Sequence, residues 1–169
     1  MGTMVAQDIL IKHRLQCAKC HNKLHSRSGL ASCDAKEHRN AVTPEEARIM
    51  SISRQNITDG AKGLPIISRV VVHGDVVYLC GVTPDPVGDI RTQTKQVLER
   101  IDRLLESAGT DKSKLLTAQV WLADMRLFAD HNAAWNEWVD PRNPPARACV
   151  RAELFRPNML VEIMVTATK

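Results

Sequence analysis

Arg69-Val-Val-Val-His73-Gly74-Asp75-Val76-Val-Tyr-Leu-Cys80 is the stretch from which the fold can be read. Two runs rich in β-branched and aromatic residues flank Gly-Asp. Glycine accepts the positive φ of a compact two-residue turn, so the stretch predicts a β-hairpin. Gly81 follows, then Val82-Thr-Pro-Asp-Pro-Val-Gly88-Asp89, a loop that either turns backbone N–H groups toward an anion or serves only as a connector. Beyond it the period changes. Val97, Ile101, Leu104, Leu105 and Ala108 recur at helical spacing, with Arg91, Lys95, Glu99, Asp102 and Arg103 largely opposite. That predicts an amphipathic helix over 92–108, closed by Gly109. Leu115–Leu122 reads as a third strand. Asp124 caps a second helix over about 125–138, with Phe128, Ala134, Trp135 and Trp138 apolar. Pro141-Arg-Asn-Pro-Pro145 ends that helix and forces an extended entry into a fourth strand, about 147–154. After the turn Phe155-Arg-Pro-Asn158, residues 159–166 alternate as a last strand.

The order ββαβαββ, with one apolar face per helix, predicts an α+β domain of two layers, both helices on one face of a single mixed sheet. Val70, Val72, Val120, Leu122, Val161, Ile163 and Val165 read as more apolar strand positions than one buried face needs. The second face of the sheet is therefore expected to pack against other copies of the chain.

The chain has 169 residues, 44% hydrophobic and 25% charged, as expected for one soluble domain with an extension. Its net charge of +4 is unevenly spread: residues 1–50 hold eight Lys/Arg against five Asp/Glu, residues 51–169 fifteen against fourteen. The near-neutral body offers no basic groove, and nucleic acid is not expected as a partner. No apolar run is long enough for a membrane helix. Met4–Ile11 is too short and too polar for a signal-peptide core, which leaves the cytoplasm as the expected location. The cysteines at 17, 20, 33, 80 and 149 read as free thiols, not a disulfide framework.

Residues 1–50 form an N-terminal extension of different character. Cys17-Ala-Lys-Cys20-His21 matches a c-type haem attachment pattern, which requires export. Cys17, Cys20, Cys33 and His38 could instead supply a tetrahedral zinc site, although the second pair lacks a knuckle. The polar, weakly periodic composition favours a poorly structured leader, so no metal is assigned. Thr43-Pro44-Glu45-Glu46 is a helix-start signature for a short helix over 44–50.

Pro145-Ala-Arg147-Ala-Cys149-Val150 carries the candidate chemistry. Residues two apart on a strand share a face, so Arg147 and Cys149 point together. A guanidinium at the rigid mouth of a strand suits a carboxylate held by two parallel hydrogen bonds, although an arbitrary arginine is more often a surface ion-pair partner. Glu162, between Val161 and Ile163, places a second ionisable group in an apolar run.

These segments, with Val76-Val-Tyr-Leu-Cys80-Gly81, Gln93-Thr94, Val120-Trp-Leu-Ala-Asp124-Met125 and Phe128-Ala-Asp-His-Asn132, together resemble the RidA/YjgF family of reactive-intermediate deaminases over about residues 57–168. The resemblance implies a chorismate mutase-like domain over 57–169, a homotrimer with sites at subunit interfaces, and no cofactor. It implies hydrolysis of 2-imino and enamine acids, released by pyridoxal-phosphate enzymes, to 2-keto acids and ammonia. Carried over by position, Arg147 binds the substrate carboxylate with help from the Gly81 backbone N–H, and Glu162, expected on the neighbouring strand, holds and activates water. Asn132, Trp135 and Cys149 line the site, Cys149 as a packed thiol. The chain departs from the pattern twice. Cys80 stands where many members have serine, and Ile67 where the best-studied branch has tyrosine. This implies a divergent subfamily with a bulkier, more apolar substrate, or a non-catalytic module that binds small carboxylates in the same place.

Overall fold

The computed structural model describes residue 43 and residues 51–169. The cysteine–histidine cluster at 17–38 and the short helix expected at 44–50 lie outside them. Six strands and two helices follow in order: β1 (Ile52–Ile57), β2 (Ser68–His73), β3 (Val76–Leu79), α1 (Ile90–Ser107), β4 (Leu115–Leu122), α2 (Phe128–Trp138), β5 (Ala146–Arg151) and β6 (Val161–Thr168). They form one mixed sheet, order β1-β2-β3-β6-β4-β5, in which only β4 and β5 run parallel. Both helices lie on one face, as the sequence predicts.

The hairpin turns at Gly74, whose φ is 59°. α1 begins two residues earlier than its apolar pattern suggests. Asp89 is the N-cap, accepting the Thr92 N–H at 2.9 Å, and Ile90 is already buried. Gly109, at φ 77°, takes the left-handed position after the helix. Among the buried residues of α1 is Gln93. Its amide donates to the carbonyls of Gly88 and Asn158, and its oxygen accepts the Leu160 N–H, so both ends of the side chain are satisfied. This joins the start of α1 to the entry of β6. The segment around Asp124 is a 3-10 turn, Met125–Leu127, with Asp124 accepting the Arg126 N–H, and the α-helix proper starts only at Phe128. Phe128 is 40% exposed and does not join the core. Trp138 does, and its indole donates to Asp102 across the helix pair at 2.9 Å.

Three expectations are corrected. β1, Ile-Ser-Arg-Gln-Asn-Ile, is a strand the sequence pattern does not reveal, because five of its six residues are exposed and no face alternates. It exists through pairing along the edge of β2. β5 stops at Arg151, short of 154. Finally, the five valines, one leucine and one isoleucine taken as a surplus are all buried on the helix side, none more than 5% exposed. Period-2 alternation puts them on one face, and two helices suffice to cover it. The opposite face carries Val71, Tyr78, Gln119, Trp121, Glu162 and Met164, a mixed surface on which those seven residues have no part.

Candidate functional site

β5 is the edge strand beside β4, and it delivers Arg147 to the underside of α2. Val120 of β4 is paired with Cys149 on one side and with Ile163 on the other, so those three residues share the core face. Arg147, two residues before Cys149, shares it too. There the guanidinium meets three side chains of one helical turn. Nη1 donates to Asn132 Oδ1 at 2.8 Å, and Nη2 donates to His131 Nε2 at 2.7 Å. The plane of Trp135 lies under it, 4.7 Å from ring centroid to Cζ. The buried Nε–H has no hydrogen-bond partner among the described residues.

His131 is fully buried, and its Nδ1 lies 3.0 Å from Thr94 Oγ1 on α1, also fully buried. Arginine has no lone pair to offer, so Nε2 must be the acceptor and the ring proton must sit on Nδ1, donating to Thr94. Burial, helped by the neighbouring guanidinium, holds the imidazole down to about 4, so it is neutral at physiological pH. Burial also works against the charge of Arg147. No carboxylate forms an ion pair with this arginine among the described residues.

Glu162 is elsewhere. It is paired with Trp121 and alternates with Val161 and Ile163, so its side chain leaves the opposite, open face of the sheet. β4 lies between its strand and β5, so the expectation that Glu162 and Arg147 occupy neighbouring strands does not hold. The Glu162 carboxylate lies directly over Gly81. A Cβ built on that glycine would fall inside van der Waals contact of Oε1, so the residue after β3 must lack a side chain for this approach. Burial alone pushes the Glu162 carboxyl up from its ordinary value. Cys80 is half-buried beside it. Burial pushes its thiol up, opposed by Arg69 and reinforced by Glu162. Cys149 is likewise pushed up by burial, against the pull of Arg147. Neither thiol is set up as a thiolate.

Ile67 stands apart from both clusters. It precedes β2 near the β1 edge, 38% exposed, with its N–H bonded to Thr58 Oγ1 at 2.8 Å. The loop after β3 acts as a connector. Asp85 N–H goes to Gln96, Val87 N–H to the Asp85 carbonyl, and Arg100 binds the carbonyl of Thr83 and the carboxylate of Asp85. A single chain therefore holds the candidate residues as three groups: Arg147, Asn132, Trp135 and Cys149; then Cys80, Gly81 and Glu162; and Ile67 alone.

Residues 66–169 match the family model described as Endoribonuclease L-PSP. The chain belongs to this family. Its β2-to-β6 body is the matched region. A RutC family protein of Haemophilus influenzae is 45% identical over 104 residues, 60% of this chain and 90% of that protein. The RutC family protein YoaB of Escherichia coli is 40% identical over 100 residues, 59% and 88%. Among solved structures, NMB1025 of Neisseria meningitidis, a YjgF family member, superposes with a TM-score of 0.66 at 37% identity, covering 72% of this chain and 97% of that one. YyfA of Yersinia pestis, described as a Rid family protein of unknown function, gives 0.62 at 26% identity. Within this L-PSP/YjgF domain, sequence reading missed His131 and Thr94 as site residues. The signal was present: residues 131, 134, 135 and 138 mark one helical stripe, so His131 sits where an apolar residue would be expected.

Proposed function

We propose that this YjgF-family domain hydrolyses reactive 2-imino and enamine acids to 2-keto acids and ammonia. The observation that carries the reading is Arg147. It is a partly buried cation held only by neutral partners, with no carboxylate countering it among the described residues. A charge taken out of water needs a counter-ion, and a ligand carboxylate supplies one in the geometry a guanidinium prefers. The imine carbon of such an acid is then fixed one bond from the clamped group. Glu162, its affinity for protons raised by burial, suits a base that takes a proton from the attacking water. Water adds to the imine carbon as its proton passes through the carboxylate to nitrogen; the hydroxyl of the resulting carbinolamine then gives its proton to nitrogen by the same route as the C–N bond breaks, leaving the keto acid and ammonia.

Arg147 and Glu162 leave opposite faces of the sheet, so one substrate reaches both only between copies of the chain. We place the working site at that interface in a homotrimer, with Gly81, Cys80, Asn132, Trp135, Cys149 and the Ile67 loop lining it. The test is ammonia release from freshly generated 2-aminoacrylate. Arg147→Ala should lose both turnover and keto-acid binding, whereas Glu162→Gln should lose turnover and keep binding. Absence of turnover by the unaltered protein at high concentration, with pyruvate binding retained, would replace this reading with a non-catalytic carboxylate-binding module. Ile67, which supplies no hydroxyl, is the residue that favours that second reading.

A further inference from the structure

We propose that His131 is the positioning residue of Arg147: a neutral acceptor, held in one tautomer by Thr94, that fixes the guanidinium without cancelling its charge. The inference rests on the reading of Arg147 as a carboxylate clamp.

An arginine side chain turns about four bonds, and a two-point clamp needs its terminal plane fixed. Three residues of α2 do this. Trp135 sets the plane by lying under it, while Asn132 and His131 each hold one terminal nitrogen. Asn132 and Trp135 are only partly constrained in role, since an amide can rotate and a ring face accepts many headings. His131 is different. It is fully buried, its far nitrogen is engaged by a hydroxyl that is itself fully buried on a second helix, and Arg147 can only donate. Each of the two ring nitrogens thus has one role open to it. The Thr94–His131–Arg147 chain runs from α1 through α2 to β5, so the clamp is referenced to both helices and the sheet at once.

The choice of a neutral ring has a chemical consequence. An aspartate or glutamate at 131 would hold the guanidinium as firmly but would occupy its charge and compete with the substrate's carboxylate. Imidazole with its proton on Nδ1 leaves the full positive charge for the ligand. A structural histidine that merely fills space would be replaceable by leucine without effect on ligand affinity.

The experiment uses the full chain, with pyruvate as the probe. Ring-nitrogen NMR of the unaltered protein should show His131 protonated at Nδ1 and unprotonated at Nε2. His131→Leu should raise the pyruvate Kd by about tenfold or more, the loss of one hydrogen bond to a charged group. His131→Gln, whose amide oxygen reaches the Nε2 position, should recover binding to within about threefold. Should the leucine variant fail to fold, Thr94→Val serves in its place. Removing the hydroxyl frees the tautomer, and a raised Kd at unchanged fold supports the proposal. Finding the proton on Nε2, or wild-type affinity in the leucine variant (or, in its place, the valine variant) while Arg147→Ala binds nothing, overturns it. Wild-type binding by Arg147→Ala overturns the clamp reading instead.

Discussion

Arg147 has more N–H donors than partners, and its geometry makes that difference usable. Two terminal nitrogens are held by neutral oxygen and nitrogen acceptors, and Nε–H is buried with none among the described residues. Lysine at this position would keep the charge and lose the fork, so Arg147→Lys should weaken pyruvate binding nearly as much as alanine, by more than about tenfold in a titration. His131 brings a pH dependence with a definite sign. Its ordinary value is 6.5 and burial takes it to about 4, so between those limits the unfolded chain binds the proton more readily. Stability is full above pH 6.5 and declines as pH falls toward 4, by on the order of 3 kcal/mol. Chemical denaturation at pH 7.5 and pH 4.5 should show the decline, and His131→Leu should flatten that part of the profile. Glu162 acts on the other face with its carboxyl raised by burial. The acid limb of kcat/KM should therefore lie above the ordinary carboxylate range and vanish with Glu162→Gln. The need for glycine at 81 comes from the same contact. Gly81→Ala must displace the Glu162 carboxylate, and we expect turnover to fall by more than about tenfold while pyruvate binding at Arg147 is kept.

At the scale of elements, Gln93 shows how α1 is tied to the sheet. Its three hydrogen bonds reach Gly88, Asn158 and Leu160, all backbone groups, the first just before α1 and the other two just before β6. Gln93→Leu keeps the volume and leaves those groups unpaired, which should destabilise by on the order of 2–3 kcal/mol in urea unfolding. The helices were legible from the sequence because their apolar residues repeat at helical spacing, and the hairpin because Gly74-Asp75 interrupts two β-branched runs. β1 was not legible, since an edge strand with polar residues on both faces owes its conformation to its neighbour and leaves no mark in its own pattern. The site was half legible. Arg147 declared itself by its strand and its prolines. The face on which Glu162 emerges depends on parity relative to β4, and a sequence read one strand at a time does not supply that register. His131 was legible as the polar residue inside an apolar stripe, but its partners Thr94 and Arg147 lie 37 and 16 residues away and leave no local mark.

At the scale of the whole molecule, the placement of Arg147 and Glu162 on opposite sheet faces turns the proposed chemistry into a statement about assembly. A site shared between copies allows complementation. Arg147→Ala and Glu162→Gln are each expected to be inactive alone, but subunits mixed by unfolding and refolding together should regain activity. With random mixing, roughly a quarter of interfaces pair an intact arginine with an intact glutamate, so about that share of wild-type turnover should return. No recovery, in mixed oligomers verified by mass, would place both residues in one subunit's site and refute the shared arrangement.

The position of β6 bears on how the molecule is made. It follows every other element of the sheet in sequence, yet it lies between β3 and β4. Until it is synthesised, the hairpin side and the β4–α2–β5 side have no common strand. The core can close only when the strand bearing Glu162 pairs with both sides. Pairings this distant in sequence are slow to form. Folding speed should therefore respond to substitutions in β6 such as Ile163→Val, and respond little to changes in the early-formed hairpin turn.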